Sequence, residues 1–163
     1  MNAPQSRFEP QDPGFAARVR DSFSRQKAMD LIGARLTVVE PGYTEVTLAY
    51  RPALTQQKAY VHGGILGMIA DSACGYAAYS LMPASASLVT VEYKINILAP
   101  ATGDLVARGR VIRPGRTLTV TRAEVYAADG THVASMQQTL MMLADTPDTP
   151  DTPDTPDTPD TSA

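Results

Sequence analysis

The chain of 163 residues has a single cysteine, Cys74. An internal disulfide framework is thereby excluded, as is a metal site built from several thiolates. Long apolar runs are missing too: the stretch poorest in charge, Gly63 to Val91, is interrupted by Asp71, by glycines and by Pro83, whereas a membrane span needs about 20 predominantly apolar residues. Met1 to Pro13 is polar and carries no apolar run behind a basic start, so a secretory signal is not expected. The basic residues form no concentrated stripe interleaved with stacking aromatics, which argues against nucleic acid as a partner. These absences predict a soluble, cytoplasmic protein with neither a membrane nor a nucleic-acid partner.

What is present is one domain's worth of globular sequence, with 44% hydrophobic and 19% charged residues. That average hides a split. Asp145 to Ala163 contains five Asp-Thr-Pro units and then Asp-Thr-Ser-Ala, six Asp in all and no base. Setting those six aside changes the formal charge from −3 to +3, so the acidity belongs to the tail. The expected organisation is a flexible segment over 1–13, a folded domain over 14–144 and a disordered tail over 145–163. Truncation after Ala144 is expected to leave activity and thermal stability intact.

Within the domain, Phe15, Val19, Phe23, Met29 and Ile32 recur at helical spacing and predict one amphipathic helix from about Gly14 to Ile32, stopped by Gly33. Ala34 to Glu40 and Tyr43 to Arg51 read as a hairpin about Pro41-Gly42. From Gly63 to Leu81 nearly every residue is apolar or small, which predicts a helix buried on most sides. Leu88 to Leu98, Leu105 to Arg113, Thr117 to Ala128 and Thr131 to Leu143 read as four further strands in a meander. In the first of these, Val89, Val91, Tyr93, Ile95 and Ile97 alternate with Thr90, Glu92, Lys94 and Asn96, which predicts that the even positions face water. The whole is an α+β arrangement: a curved antiparallel sheet wrapped around one apolar helix.

The chemistry concentrates at that helix. His62, Gly63 and Gly64 open it, and a helix start leaves backbone N–H groups unpaired and partly positive, suited to a developing oxyanion. Tight packing at a loop-to-helix turn is the bland alternative for the two glycines. Asp71 is the one charge on the helix, and a carboxylate there needs partners or a task, either as base or nucleophile or as structural glue. Gly64 and Asp71 are seven residues apart, about 10 Å along a helix. One reacting carbonyl therefore meets both kinds of group most easily across a two-fold interface. Cys74, Met68, Met82, Tyr76 and Tyr79 read as core or pocket lining, and His132 as solvated. Arg113 and Arg116 flank a Pro-Gly turn, either as a solvated hairpin tip or as contacts for phosphates.

The His-Gly-Gly with Asp nine residues after the His, the Asp-Ser-Ala-Cys-Gly-Tyr-Ala-Ala continuation, and the strand Val-Thr-Val-Glu-Tyr-Lys-Ile-Asn-Ile-Leu-Ala-Pro together resemble hotdog-fold thioesterases of the phenylacetate-degradation (PaaI-like) family. The likeness runs from about Leu31 to Leu143. It implies an acyl-CoA thioesterase that needs no metal or redox cofactor and acts as a homodimer or homotetramer with the site shared between subunits. By resemblance, Asp71 is the general base or nucleophile, the Gly63 N–H holds the thioester oxygen, His62 supports that loop, and Thr90 assists the water. The family often carries Asn where this chain has Gln56, which offers the same amide on a longer arm. Two other functions on the same fold stand beside hydrolysis: a non-catalytic acyl-CoA sensor and a hydroxyacyl dehydratase.

Overall fold

A computed structural model describes residues 8–149 of the chain. Expectations for most of the Asp-Thr-Pro tail, and for part of the N-terminal segment, lie outside the described residues. Two helices, α1 (Phe15–Ser24) and α2 (Lys27–Ile32), precede the hairpin strands β1 (Ala34–Glu40) and β2 (Tyr43–Leu48); helix α3 (Gly63–Tyr79) follows, and then β3 (Ser87–Ile97), β4 (Leu105–Arg113), β5 (Leu118–Ala127) and β6 (His132–Leu143). The expected single N-terminal helix is thus two. Gln26 adopts an extended backbone between them, and the resulting bend lets Met29 and Ile32 join the main core. Gly33 ends α2 in the left-handed region, at φ 74°, as a C-terminal glycine does.

All six strands pair antiparallel in the order β1-β2-β4-β5-β6-β3. This corrects the expected meander, because β3 does not pair with β4. The connection after β3 holds Pro100 and Gly103 and is no tight turn; it crosses the open end of the sheet, where Ala101 accepts the Val61 N–H and Val133 accepts the Leu98 N–H. So β3 lies on an outer edge of the sheet, and β4 is left to pair with β2.

Helix α3 packs chiefly across β4, β2 and β5, where small residues allow the closest approach. Gly109 on β4 lies against the backbone of Ala73, and the buried Thr44 hydroxyl on β2 donates to the Ala73 carbonyl at 2.7 Å. Ile69, Ala70, Ala73 and Cys74 of α3 meet Val46, Ala107, Ala123 and Val125 of the sheet in the core. The result is the curved sheet around a central apolar helix that the pattern predicted. His132 departs from its solvated reading: it stacks on Tyr126, and its Nε2 lies 2.6 Å from Glu124 Oε2.

The alternation in β3 also needs correction. A bulge leaves Val91 between Thr90, which pairs with Leu140, and Glu92, which pairs with Thr139. A bulge adds one residue and so switches which positions face each side. Before it Leu88 and Thr90 face the helix; after it Tyr93 and Ile95 do, opposite Gln138 and Met136. The even position Thr90 is thereby turned toward α3, where its hydroxyl reaches Asp71, while it stays exposed as expected.

Candidate active site

The first turn of α3 is fixed from three directions. The Val61 N–H reaches Ala101, the His62 N–H donates to Leu54, and Thr55 bridges to Val61. With its backbone extended at φ −61° and ψ 137°, His62 is the helix N-cap, and its ring Nδ1 accepts the Gly64 N–H at 2.9 Å. That contact narrows the oxyanion candidates: the Gly64 donor is committed to His62, whereas the Gly63 N–H has no protein acceptor among the described residues. A Cβ on Gly63 would meet only Ile97, at 4.0 Å. Nothing among the described residues therefore requires glycine there. Gly63 and Gln56 share a groove of about 450 Å³ with Tyr60, Ile97, Leu98 and Pro100. The Gln56 carbonyl accepts the Lys58 N–H at 2.7 Å, while its amide nitrogen has no acceptor among the described residues.

Asp71 sits two turns further along, half-buried, in a different cleft. Its Oδ1 accepts from the Thr90 hydroxyl at 2.9 Å and from the Gln138 amide at 2.5 Å. Its Oδ2 accepts no hydrogen bond among the described residues. This cleft, of about 250 Å³, is lined by Asp71, Ser72, Tyr76, Ser22, Gln26 and Asp148 among others. The Tyr76 hydroxyl lies 3.1 Å from that of Ser22, and burial pushes its pKa up to about 12, so it stays a neutral phenol. Asp148 reaches the cleft because Arg25 holds both its carboxylate, at 2.9 Å, and its backbone carbonyl, at 3.0 Å. The start of the tail, expected to stand apart from the domain, is thus in contact with it.

The predicted residues therefore fall into two groups. Asp71 and Thr90 meet; Gly63 and Gln56 line the other groove, and His62 caps the helix beside Gly63. Arg113 and Arg116 lie exposed at the β4–β5 hairpin, lining neither cleft and paired with no acid among the described residues. Among the described residues no three His, Cys, Asp or Glu side chains converge as metal ligands. A carboxylate that lines a cleft with one oxygen fixed and the other free of protein donors among the described residues can take a proton from water or attack a carbonyl carbon directly.

Gln138 is the residue that sequence reasoning missed. It is 1% exposed on β6, where Ala134, Met136, Leu140 and Met142 share its parity. One polar side chain among inward-facing apolar positions was the available signal.

Residues 59–134 match the family model described as the thioesterase superfamily, a span that includes Gly63, Asp71 and Thr90 but neither Gln56 nor Gln138. The crystal structure of a thioesterase family protein from Silicibacter pomeroyi superimposes with a TM-score of 0.78 at 48% identity, covering 80% of this chain and 99% of that one. A conserved protein of Pseudomonas aeruginosa aligns at 30% identity over 76% of this chain and 98% of its own, with a TM-score of 0.71. The E. coli PaaI protein of the phenylacetic acid degradation operon shares the fold, with a TM-score of 0.77 at 20% identity over 83% of this chain and 98% of that one.

Proposed function

From the premise that this chain belongs to the thioesterase superfamily, we propose that it hydrolyses acyl-CoA thioesters at a site shared by two subunits, with Asp71 as the base or nucleophile. The chain is a thioester hydrolase by family. The observation that carries the finer reading is the geometry of Asp71: a carboxylate lining a cleft, with Oδ1 held by two donors and Oδ2 accepting from none among the described residues. Such a group is oriented before substrate arrives.

Water poised by Thr90 gives its proton to Asp71 and attacks the thioester carbonyl, or Asp71 attacks and water releases the acyl group. In either case the thiolate of CoA leaves, and the oxygen that gains charge is met by the Gly63 N–H at a helix start. Gly63 lies eight residues before Asp71, about 12 Å along the axis. The donor thus comes from the partner subunit. Support for pairing comes from β3, an edge strand whose Val91, Tyr93, Ile97 and Leu98 are each about half exposed; edge strands with apolar faces invite a partner. His62 holds the first turn for Gly63. Gln56 offers its free amide to the reacting oxygen or water, Gly64 backs the glycine turn, and Arg113 and Arg116 meet the phosphates of CoA.

The test is release of free thiol from a panel of acyl-CoA thioesters by wild type, Asp71→Asn and Asp71→Ala, with mass measured by light scattering. Loss of the base lowers kcat by about 10²- to 10⁴-fold. Substitutions that leave turnover unchanged, or a fully active monomer, would refute this reading.

A further inference from the structure

We infer that Gln138 is a positioning residue for the hydrolytic reaction: its amide nitrogen fixes Asp71 and Thr90 as a single unit. The inference rests on the reading of Asp71 given above and adds to it a residue outside the segment that the family model matches.

The geometry is a closed triangle. Gln138 Nε2 donates to Asp71 Oδ1 and, at 2.8 Å, to Thr90 Oγ1, while the Thr90 hydroxyl donates to the same Asp71 oxygen. One amide supplies both contacts because a primary amide nitrogen carries two hydrogens. The orientation of the amide follows from its neighbours. Turned over, its carbonyl would face a carboxylate oxygen and a hydroxyl oxygen whose proton is already used, and both contacts would be repulsive.

The position is costly by any structural measure. The residue is 1% exposed, and its side-chain carbonyl oxygen is buried with no hydrogen-bond partner among the described residues. Leaving a buried acceptor unpaired costs free energy that an apolar residue of similar shape avoids. The neighbours of like parity on β6 are apolar. A residue selected for packing would match them. What Gln138 provides instead is direction: the Asp71 carboxylate lines the cleft with Oδ1 held from two sides and Oδ2 free of protein donors among the described residues, and the Thr90 oxygen is pinned beside it. Three elements, α3, β3 and β6, meet at this point, so the amide also ties the reacting helix to the bulged edge strand.

The experiment compares kcat and KM for thioester hydrolysis in Gln138→Met, Gln138→Glu, Thr90→Val and the Gln138→Met/Thr90→Val double variant, with melting curves for each and Asp71→Asn as reference. Gln138→Met keeps the length and removes the donor; Gln138→Glu keeps the shape and replaces the donor with an acceptor. Both are expected to lower kcat by about 10- to 100-fold with KM within about twofold. The melting temperature of the Met variant stays level or rises, because the unpaired carbonyl is gone. The double variant should lose less than the product of the single losses, since the two side chains act through one shared contact. A Met or Glu variant with wild-type kcat overturns the inference, as does strict multiplicativity in the double variant. Should the Met variant fail to fold, the Glu variant carries the same test. If Asp71→Asn is itself fully active, the reading of Asp71 fails; if Asp71→Asn is inactive and the Gln138 variants are not, the role of Gln138 alone fails.

Discussion

Gly109→Ala is the sharpest test of how the fold serves the site. A Cβ built on Gly109 would lie 2.2 Å from the Ala73 carbonyl oxygen, 2.3 Å from its carbon and 2.7 Å from the Cys74 nitrogen. All three are backbone atoms, so no rotamer change relieves the clash. Restoring ordinary contact, at 3.4 Å or more, displaces helix α3 from the sheet by about 1 Å, and an interior packed to near-crystal density has no slack of that size. Overpacking of this kind costs about 1–3 kcal/mol, and the buried Thr44 bond to the Ala73 carbonyl adds roughly 1 kcal/mol when it breaks. A total of about 2–4 kcal/mol corresponds to a melting temperature lower by roughly 10 °C in a domain of this size. Asp71 lies two residues before Ala73 on the displaced helix, so its 2.9 Å bond to Thr90 is lost with the same movement. Misplacement of a reacting group by 1 Å costs on the order of 10²-fold in rate. Thermal melts and thiol release from an acyl-CoA substrate, taken on the same preparation, read both effects. A Gly109→Ala protein that melts within 2 °C of wild type and turns over normally would refute the argument that this glycine sets the distance between helix and sheet.

Two further outcomes are expected. Cys74 is fully buried, and burial pushes its thiol up to about 12, so it stays protonated up to pH 8 and beyond; a disulfide reagent should leave the native protein unlabelled at pH 8 and find one thiol per chain after denaturation, and rapid labelling of the native protein would contradict the packing. Truncation after Ala144 removes the Arg25–Asp148 pair, whose partners are 29% and 30% exposed and which is worth at most about 1 kcal/mol. In place of the unchanged activity and stability expected from the sequence, melting should shift by less than about 4 °C while KM falls because a carboxylate no longer stands in the Asp71 cleft; an unchanged KM would show that Asp148 leaves the substrate's path clear.

The elements that sequence patterning recovered are those whose cause is local. Helix α3 follows from an apolar stretch with nowhere to go but the interior, and the β1–β2 turn follows from Pro41-Gly42. The split of the N-terminal helix shows in the sequence only as a six-residue step from Phe23 to Met29 in an otherwise helical spacing, and neither Pro nor Gly marks the break at Arg25 and Gln26. The partner of β3 was equally hidden. Strand neighbours are chosen by the path of the connection, and adjacency in sequence favours the meander that the chain does not form. At the site, Asp71 stood out as a lone charge and Gly63 as a helix-start glycine, both local signals. Gln138 is marked in the sequence only as one polar residue among apolar neighbours of like parity, and its contact with Asp71 and Thr90 emerges only from the paired sheet.

The bulge at Val91 links these two kinds of information. Without the extra residue, strict alternation would put Thr90 on the same side as Lys94, away from Asp71, if Tyr93 and Ile95 kept their inward places. With it, β3 turns Thr90 inward before the bulge and Tyr93 and Ile95 inward after it. The apolar side chains that remain half exposed, Val91 at 54% and Ile97 at 50%, then lie along an edge with no protein partner among the described residues. The strand that carries the hydroxyl of the site is therefore also the strand with most to gain from a second subunit. Under the proposed shared site, pairing along β3 both covers that surface and brings a Gly63 donor toward the Asp71 cleft, so assembly and catalysis depend on one irregularity in one strand.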